Sequence, residues 1–295
     1  MSRWLFGIRS ITKRMIITKT PLRISLVGGG TDIDTYYRTG FGAVVSMSID
    51  KYIWITVNPK FDNSIRVSYS KTEIVDDVKD LQHDIVKECL QMVGISKGIE
   101  IVSIADIPAG TGLGSSSCFT VGLLNALYNY TGRQLTQEQL AEKACEIEIN
   151  ILKHPIGKQD QYGCACGGVN YFQFNQDETV HQQKLQLSQN AIRELNRNLI
   201  MFYTGKDRNA NNILSIQREK SQINKHNLDI MRDQAIEVKQ LFEENNISEQ
   251  LGYKLHQGWL LKQSLVSDIS NEDISYCYNL AIQNGAIGGK LLGAG

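Results

Sequence analysis

The chain has 295 residues, of which 42% are hydrophobic and 21% charged, a balance typical of a soluble globular protein. Its 31 basic and 31 acidic residues give a formal net charge of zero, which argues against an extended surface for nucleic acid or an anionic membrane. Apolar runs stay below the ~18 residues of a membrane span, and the length allows two domains.

The six cysteines are spaced neither as a zinc site nor as a dense disulfide framework, so we expect packed, reduced thiols. Residues 1–14 are basic, but their apolar run is too short for a secretion signal. We therefore expect a disordered extension there, with Met15 as an alternative start. Together these features predict a cytoplasmic protein.

The first part of the chain is rich in predicted strands. A strand over Ile16–Val27 enters the turn Gly28-Gly29-Gly30-Thr31-Asp32, whose glycines permit a left-handed backbone and close approach of a ligand. Alternating apolar residues predict the further strands 44–49, 52–57 and 65–69, and helical spacing predicts a helix over 80–93.

The most informative segment is Pro108-Ala109-Gly110-Thr111-Gly112-Leu113-Gly114-Ser115-Ser116-Ser117, the glycine–serine loop. A strand pattern over 99–107 precedes it and a helical pattern follows it. Glycines let backbone N–H groups approach a phosphate, and the helix N-terminus adds partial positive charge. The serines can cap the helix or ligate a metal. The loop lacks the lysine of a Walker A loop, and Ser115 replaces the third glycine of the dinucleotide fingerprint.

The second part of the chain is mostly helical. Thr136 and Gln139 have capping-box spacing, and the helix that they start is predicted to run to about Lys153. Strand patterns follow at 171–174 and 199–204, and helical patterns cover 209–242, 247–267 and 273–284. The shift from strands to helices predicts a domain boundary between residues 176 and 195.

Three segments now stand together: Thr20–Asp32, Pro108–Ser117 and Gly289–Gly295. In order and spacing they resemble the three signatures of the galactokinase, homoserine, mevalonate and phosphomevalonate (GHMP) kinase superfamily. The resemblance covers nearly all of the chain from Met15 onward. It implies an α+β, two-domain GHMP kinase fold, with a ribosomal S5 domain 2-like N-terminal domain, a ferredoxin-like C-terminal domain and the active site between them.

This resemblance predicts the domain limits. We expect a disordered extension at 1–14, a GHMP kinase N-terminal ATP-binding domain at 15–185 and a C-terminal domain at 186–295. The last glycine-rich loop has no element after it in the sequence, so we expect the C-terminal domain to be incomplete and truncated.

Within the superfamily the chain is most similar to the D-glycero-D-manno-heptose 7-phosphate kinases, through Gly28–Asp32, Gly157–Tyr162 and Tyr203–Gly205. The similarity implies transfer of the γ-phosphate of ATP to the anomeric hydroxyl of that sugar phosphate, giving the 1,7-bisphosphate, with Mg²⁺ as cofactor. A small-molecule sugar phosphate is then the expected partner, and neither nucleic acid nor a membrane is.

The resemblance also assigns roles to residues. Asp160 matches the proposed catalytic base, and Arg23 lies where galactokinase-like members place an arginine that can hold this aspartate ionised. Thr31 and Asp32 are candidates for sugar contacts, with a turn cap as the alternative. Residues expected to bind ATP are Pro108, Gly110, Gly112, Leu113, Gly114, Ser115, Ser116 and Ser117. Residues of the last loop expected to contact the substrate are Gly289, Lys290 and Gly293.

Magnesium should bridge the β- and γ-phosphates. The resemblance implies that a serine of the second signature and a carboxylate from the following helix hold the ion. Ser116 is the candidate serine, with Ser115 and Ser117 close behind. Glu148 matches the carboxylate position, whereas Glu146 faces a different side of the helix. For either glutamate the alternative is a solvated helix face. Lys206 and Arg208 could meet a phosphate already on the substrate, although basic residues after a strand are more often solvated.

Two other functions stay open. The chain could be another GHMP kinase with a different substrate, although mevalonate-type members usually carry lysine where Arg23 stands. It could also be a non-catalytic nucleotide or sugar binder on the same fold. The interrupted end argues for a binder, whereas four intact site residues argue against it: Arg23, Ser116, Glu148 and Asp160.

Overall fold

A computed structural model describes residues 14–205, 210–266 and 269–293 of the chain. Apart from Arg14, the predicted extension at 1–14 lies outside these residues, as do Lys206 and Arg208. The strands are β1 (Ile16–Val27), β2 (Phe41–Pro59), β3 (Ile65–Ser68), β4 (Thr72–Val75), β5 (Ile99–Ala105), β6 (Val169–Asn175) and β7 (Val180–Lys184). The α-helices are α1 (Asp34–Tyr37), α2 (Asp84–Val93), α3 (Ser115–Tyr130), α4 (Gln137–Cys145), α5 (Gln159–Cys166), α6 (Gln189–Asn198), α7 (Ala210–Glu219), α8 (Lys225–Glu243), α9 (Ser248–Leu265) and α10 (Glu272–Gln283).

The long strand β2 organises the sheet, whose order is β4-β3-β5-β2-β6-β7 with β1 also paired to β2. Its first half pairs with β6 and its second half with β5, while β1 runs antiparallel along nearly all of it. The sequence predicted two strands here. They are one strand, in which β2 carries the extra residues 49–51 opposite Leu22 of β1, so the pairing shifts register there and resumes.

Helices cover both faces of the sheet. On one face α2 and α3 bury apolar side chains against β2 and β5, among them Leu123 and Leu127, which are fully buried. On the other face Leu26 and Val45 pack with Val238 of α8 and with the start of α9. The C-terminal helices therefore pack directly on β1 and β2, and a cleft lined by the first turns of α3 and α5 and by residues of α7 and α9 lies beside them.

The α+β class predicted from the sequence is confirmed, but several elements differ. Residues 199–204 are not a strand. Leu199 packs against the core, but the side chains of Ile200 and Phe202 are exposed, so the alternation does not continue as a buried face. The long helical pattern that began at residue 209 is two helices, α7 and α8, separated by a turn at 220–224, and Asn209 itself lies outside the described residues. Every regular element described after residue 185 is a helix, and the domain boundary stays a prediction.

The helix that begins at the Thr136 capping box also changes form. Both capping-box hydrogen bonds are present, as predicted. After Cys145 the chain continues as a π-helical turn, Glu146–Ile151, instead of an α-helix to Lys153. Such turns are rare and are frequent at functional sites. Within the described parts of the chain, no helix combines the length and the apolar character that crossing a bilayer requires.

Candidate active site

A cavity of about 1040 Å³ lies between the sheet and the C-terminal helices. Its wall includes residues from all three predicted signature segments. Those in the glycine–serine loop are Pro108, Ala109, Gly110, Gly112, Gly114, Ser115, Ser116 and Ser117. Leu113 instead packs into the main core, and its carbonyl accepts a hydrogen bond from the Arg23 backbone N–H at 3.3 Å.

Arg23 connects the candidate base to the glycine–serine loop. Its Nε donates to Asp160 Oδ1 at 3.0 Å, and its Nη1 donates to the Gly112 carbonyl at 3.2 Å. The arginine is 3% exposed, whereas the Asp160 side chain is 24% exposed toward the cavity. Asp160 lies in the first turn of α5, where the helix dipole also favours a negative charge. The structure thus pairs the two residues that the sequence predicted to be neighbours.

Glu148 lies directly behind the serines of the loop. Its Oε1 accepts from Ser116 Oγ at 2.7 Å and its Oε2 accepts from Gln161 Nε2 at 2.8 Å. Burial raises the pKa of Glu148 to about 7, although its hydrogen-bond donors oppose that rise. Glu146 faces away, 45% exposed and paired with Lys143. The π-helical turn therefore presents Glu148, and not Glu146, to the loop.

Of the two side chains in the first glycine turn that were predicted to contact the sugar, Asp32 lines the cavity and Thr31 does not. The Thr31 side chain is fully buried, and its hydroxyl lies within hydrogen-bond distance of the Gly28 and Ala43 carbonyls at 2.8 and 2.9 Å. Thr31 is outside the cavity wall, so the structure supports the turn-cap alternative for it. Asp32 does line the cavity, accepts hydrogen bonds from Gly30 N and Gln159 Nε2, and has a pKa raised by burial.

The C-terminal glycine loop is seated on the glycine–serine loop. A Cβ on Gly112 would lie 2.3 Å from the Leu292 carbonyl oxygen, and one on Gly293 would lie 2.6 Å from Gly112 Cα. Lys290 and Gly293 line the cavity, and Lys290 Nζ donates to the Leu26 carbonyl at 3.3 Å. Gly289 lies outside the wall, beside Tyr278. The two loops can approach this closely because neither carries a side chain at the contact.

Gly112→Ala is expected to lower kcat/KM for ATP at least about tenfold, because displacing a positioning loop by ~1 Å has effects of this size or larger. Gly132→Ala is a matched control. Both glycines have a positive φ, 75° and 77°, so alanine strains each by about 1–2 kcal/mol. A Cβ on Gly132 meets nothing within 4 Å. Steady-state kinetics on both variants would contradict the seating of the loops if activity fell equally.

Several cavity residues were not found from the sequence. The ring of His83 stacks on Phe119 with centroids 5.1 Å apart and meets the edge of Tyr69 at 4.7 Å, at the end of the cavity that Ile85 also lines. These rings come from separate segments, so no local pattern joins them. Lys262 also lines the cavity. The sequence contained a signal for Lys262, because this lysine continues the apolar helical stripe that includes Trp259 and is therefore expected to be buried.

Comparison with known proteins adds a second line of observation. Residues 81–168 match the family of GHMP kinases N terminal domain. D-glycero-alpha-D-manno-heptose 7-phosphate kinase of Campylobacter jejuni is 29% identical over 96% of this chain and 87% of its own length. A galactokinase of Pyrococcus furiosus is 28% identical over 95% of this chain and 86% of its own. The crystal structure of a D-glycero-D-manno-heptose 1-phosphate kinase of Bacteroides thetaiotaomicron is 24% identical, covers 96% of this chain and 86% of its own, and superposes with a TM-score of 0.78.

The fold, the site and these relatives define an ATP-dependent phosphotransferase that acts on the alcohol group of a small molecule. More particularly, residues 81–168 match the GHMP kinase N-terminal domain, so the resemblance to the GHMP kinases predicted from the sequence is confirmed. The predicted GHMP kinase fold is confirmed as well.

Proposed function

We propose that this chain is a sugar kinase that phosphorylates the anomeric hydroxyl of D-glycero-D-manno-heptose 7-phosphate, giving the 1,7-bisphosphate. One observation carries the proposal: Arg23 bonds both the Asp160 carboxylate and the Gly112 carbonyl, at 3.0 and 3.2 Å. This contact holds a proton acceptor beside a loop suited to phosphates. The choice of sugar draws on the name of the Campylobacter jejuni relative.

In this proposal Asp160 accepts the proton of the sugar hydroxyl as that oxygen attacks phosphorus. The transition state of phosphoryl transfer is loose, so the protein mainly positions the reactants and stabilises charge. Arg23 holds the Asp160 carboxylate in place and offsets charge on the transferred group. Backbone N–H groups of the glycine–serine loop hold the phosphates of ATP at the N-terminus of α3.

The residues around Ser116 suit Mg²⁺. Among the described residues, Glu148 is a fully buried carboxylate with hydrogen-bond donors but no cationic side chain in an ion pair. Within the same residues no group of three or more His, Cys, Asp or Glu is placed to hold a metal. Magnesium needs only one or two protein ligands when phosphates and water complete its shell. Ser116 and Glu148 would hold it, and the bound ion would neutralise charge on the β- and γ-phosphates.

Two further parts of the cavity suit the adenine base of ATP and the hydroxyl groups of the sugar. The stacked rings of His83 and Phe119 offer a flat apolar surface for the adenine base. Asp32, held by Gln159 and Gly30, would accept hydrogen bonds from sugar hydroxyls. A Cβ on Gly157 would lie only 1.9 Å from Asp32 Oδ2, so the absence of a side chain at this position leaves the space that the carboxylate occupies.

A substrate panel tests the proposal. Release of ADP would be measured with heptose 7-phosphate, heptose 1-phosphate, galactose and mevalonate, each with ATP and Mg²⁺. We expect heptose 7-phosphate to have the highest kcat/KM, at least about tenfold above galactose, since each charge-assisted hydrogen bond to a phosphate contributes ~1.5–3 kcal/mol.

Three outcomes of the panel would contradict parts of the proposal. Preference for another acceptor would replace the heptose 7-phosphate assignment and keep the kinase. Equal kcat/KM for galactose and heptose 7-phosphate would show that the enzyme does not recognise the phosphate of the sugar. Binding of ATP and sugar without release of ADP would favour the non-catalytic binder.

A further inference from the structure

Two lysines from the C-terminal part of the chain lie in the cavity wall. Lys262, on α9, is 7% exposed, and its Nζ donates to Gln217 Oε1 at 3.1 Å. Lys290 Nζ donates to the Leu26 carbonyl. Within the described residues, neither lysine forms an ion pair with a carboxylate. Since an ammonium group carries three donors, both lysines retain N–H groups for a ligand.

The two ammonium groups have no carboxylate at ion-pair distance among the described residues, and Asp32 acts on Lys262 from farther away. Burying an unpaired charge is unfavourable. Burial accordingly lowers the pKa of Lys262 to about 8 and that of Lys290 to about 7, and the charge of Lys262 adds to the effect on Lys290. On the same cavity, Ser25 is 6% exposed, and its hydroxyl has no hydrogen-bond partner among the described residues. An anion with several acceptor oxygens would suit donors of this kind.

We propose that Lys262 and Lys290 bind the phosphate group that the sugar substrate already carries. The inference rests on the proposed function and adds the residues that select a phosphorylated sugar. It differs from the expectation for Lys206 and Arg208, which lie outside the described residues.

Lys262 lies on the side of the cavity that the first glycine turn forms. Gln217, the partner of Lys262, packs against the first glycine turn, since a Cβ on Gly30 would lie 2.2 Å from Gln217 Nε2. Asp32, the candidate sugar residue, is the carboxylate that acts on Lys262. The glycine–serine loop contacts Arg23 instead. A heptose 7-phosphate has its reacting C1 hydroxyl and its phosphate at opposite ends, so C1 can face Asp160 while the phosphate faces the lysines.

Lys262→Met tests the site, because methionine keeps the length and the apolar packing of the side chain and removes its charge. We expect kcat/KM for heptose 7-phosphate to fall about 10–100-fold, the range of a lost charge-assisted hydrogen bond. For unphosphorylated D-glycero-D-manno-heptose, kcat/KM should stay within about twofold, and KM for ATP should not change. The preference for the phosphorylated sugar would then disappear.

Lys254→Met is the matched control, because Lys254 lies on the same helix, outside the cavity wall, paired with Glu237. It should leave both sugars unaffected. Lys262→Gln serves as a second variant if the methionine variant does not fold. An equal fall for both sugars, or a raised KM for ATP, would overturn the proposal, since Lys262 would then act on the transferred phosphate or on the nucleotide. No change with either sugar would overturn it as well.

Failure of the proposed function would be recognised separately. If the wild-type protein phosphorylates neither heptose, that function is wrong, and calorimetry with inorganic phosphate in the presence of saturating ADP decides on the lysine site alone. Binding by the wild type that is lost in Lys262→Met would support the site. Equal binding by both proteins, or no binding by either, would overturn it.

Discussion

Asp160→Asn is expected to lower kcat about 100-fold or more, the range for loss of an acid–base group, with little change in ATP affinity. The substitution removes the group that would accept the proton of the sugar hydroxyl. Both Arg23 donors that reach Asp160 bond to the same oxygen, Oδ1, and an asparagine side chain can present its oxygen there. The buried guanidinium therefore keeps an acceptor, and we expect the variant to fold.

The measurements are ADP release at saturating substrates, ATP binding by calorimetry and the thermal midpoint. Asp177→Asn is a suitable control, since that carboxylate lies on the exposed turn between β6 and β7 and should leave kcat unchanged. Near wild-type turnover in Asp160→Asn would show that Asp160 is not the catalytic base. A large drop in the thermal midpoint would instead indicate that the charge of Arg23 had lost its compensation.

Parts of the site could be predicted from the sequence where their residues belong to one local sequence pattern. The glycine–serine loop is recognisable because a strand, a glycine run and a helix start are contiguous in the chain. Arg23 and Asp160 are 137 positions apart, and only the resemblance to the GHMP kinases suggested that they meet. Helical spacing predicted that Glu148 and Glu146 face different sides, and the family position selected Glu148, although the segment that carries both is a π-helical turn rather than the predicted α-helix.

Other features depend on tertiary contacts that no local pattern contains. Thr31 and Asp32 are adjacent and equally suited to bind a sugar, yet the pairing of the turn with Ala43 uses the threonine hydroxyl. Lys262 occupies a buried stripe of α9, but whether a lysine there meets a carboxylate or a cavity depends on the helices packed around it. The pattern at 199–204 has strand alternation without an apolar surface to cover it, which composition alone cannot reveal.

Glu148→Gln is expected to raise the Mg²⁺ concentration for half-maximal rate about tenfold or more, a size common when groups at a metal site are changed. Glutamine can keep both hydrogen bonds, since its amide oxygen can accept from Gln161 while its NH₂ group donates to the Ser116 hydroxyl. Only the negative charge is lost. The loss of Mg²⁺ affinity would therefore report the charge and not a disrupted turn.

The thermal stability of Glu148→Gln is expected not to fall with its affinity for Mg²⁺. Burial raises the pKa of Glu148 above its ordinary value, to about 7, so folding disfavours the ionised carboxylate and stability decreases as the pH rises through that value. At pH 8 without metal, Glu148→Gln should thus have a thermal midpoint equal to or higher than the wild type, even though it needs more Mg²⁺ to turn over. Glu146→Gln, at an exposed position paired with Lys143, should change neither quantity. If Glu146→Gln shifted the Mg²⁺ requirement as much as Glu148→Gln, or more, the metal would have to be reassigned to the other side of the turn, because the two carboxylates face in different directions.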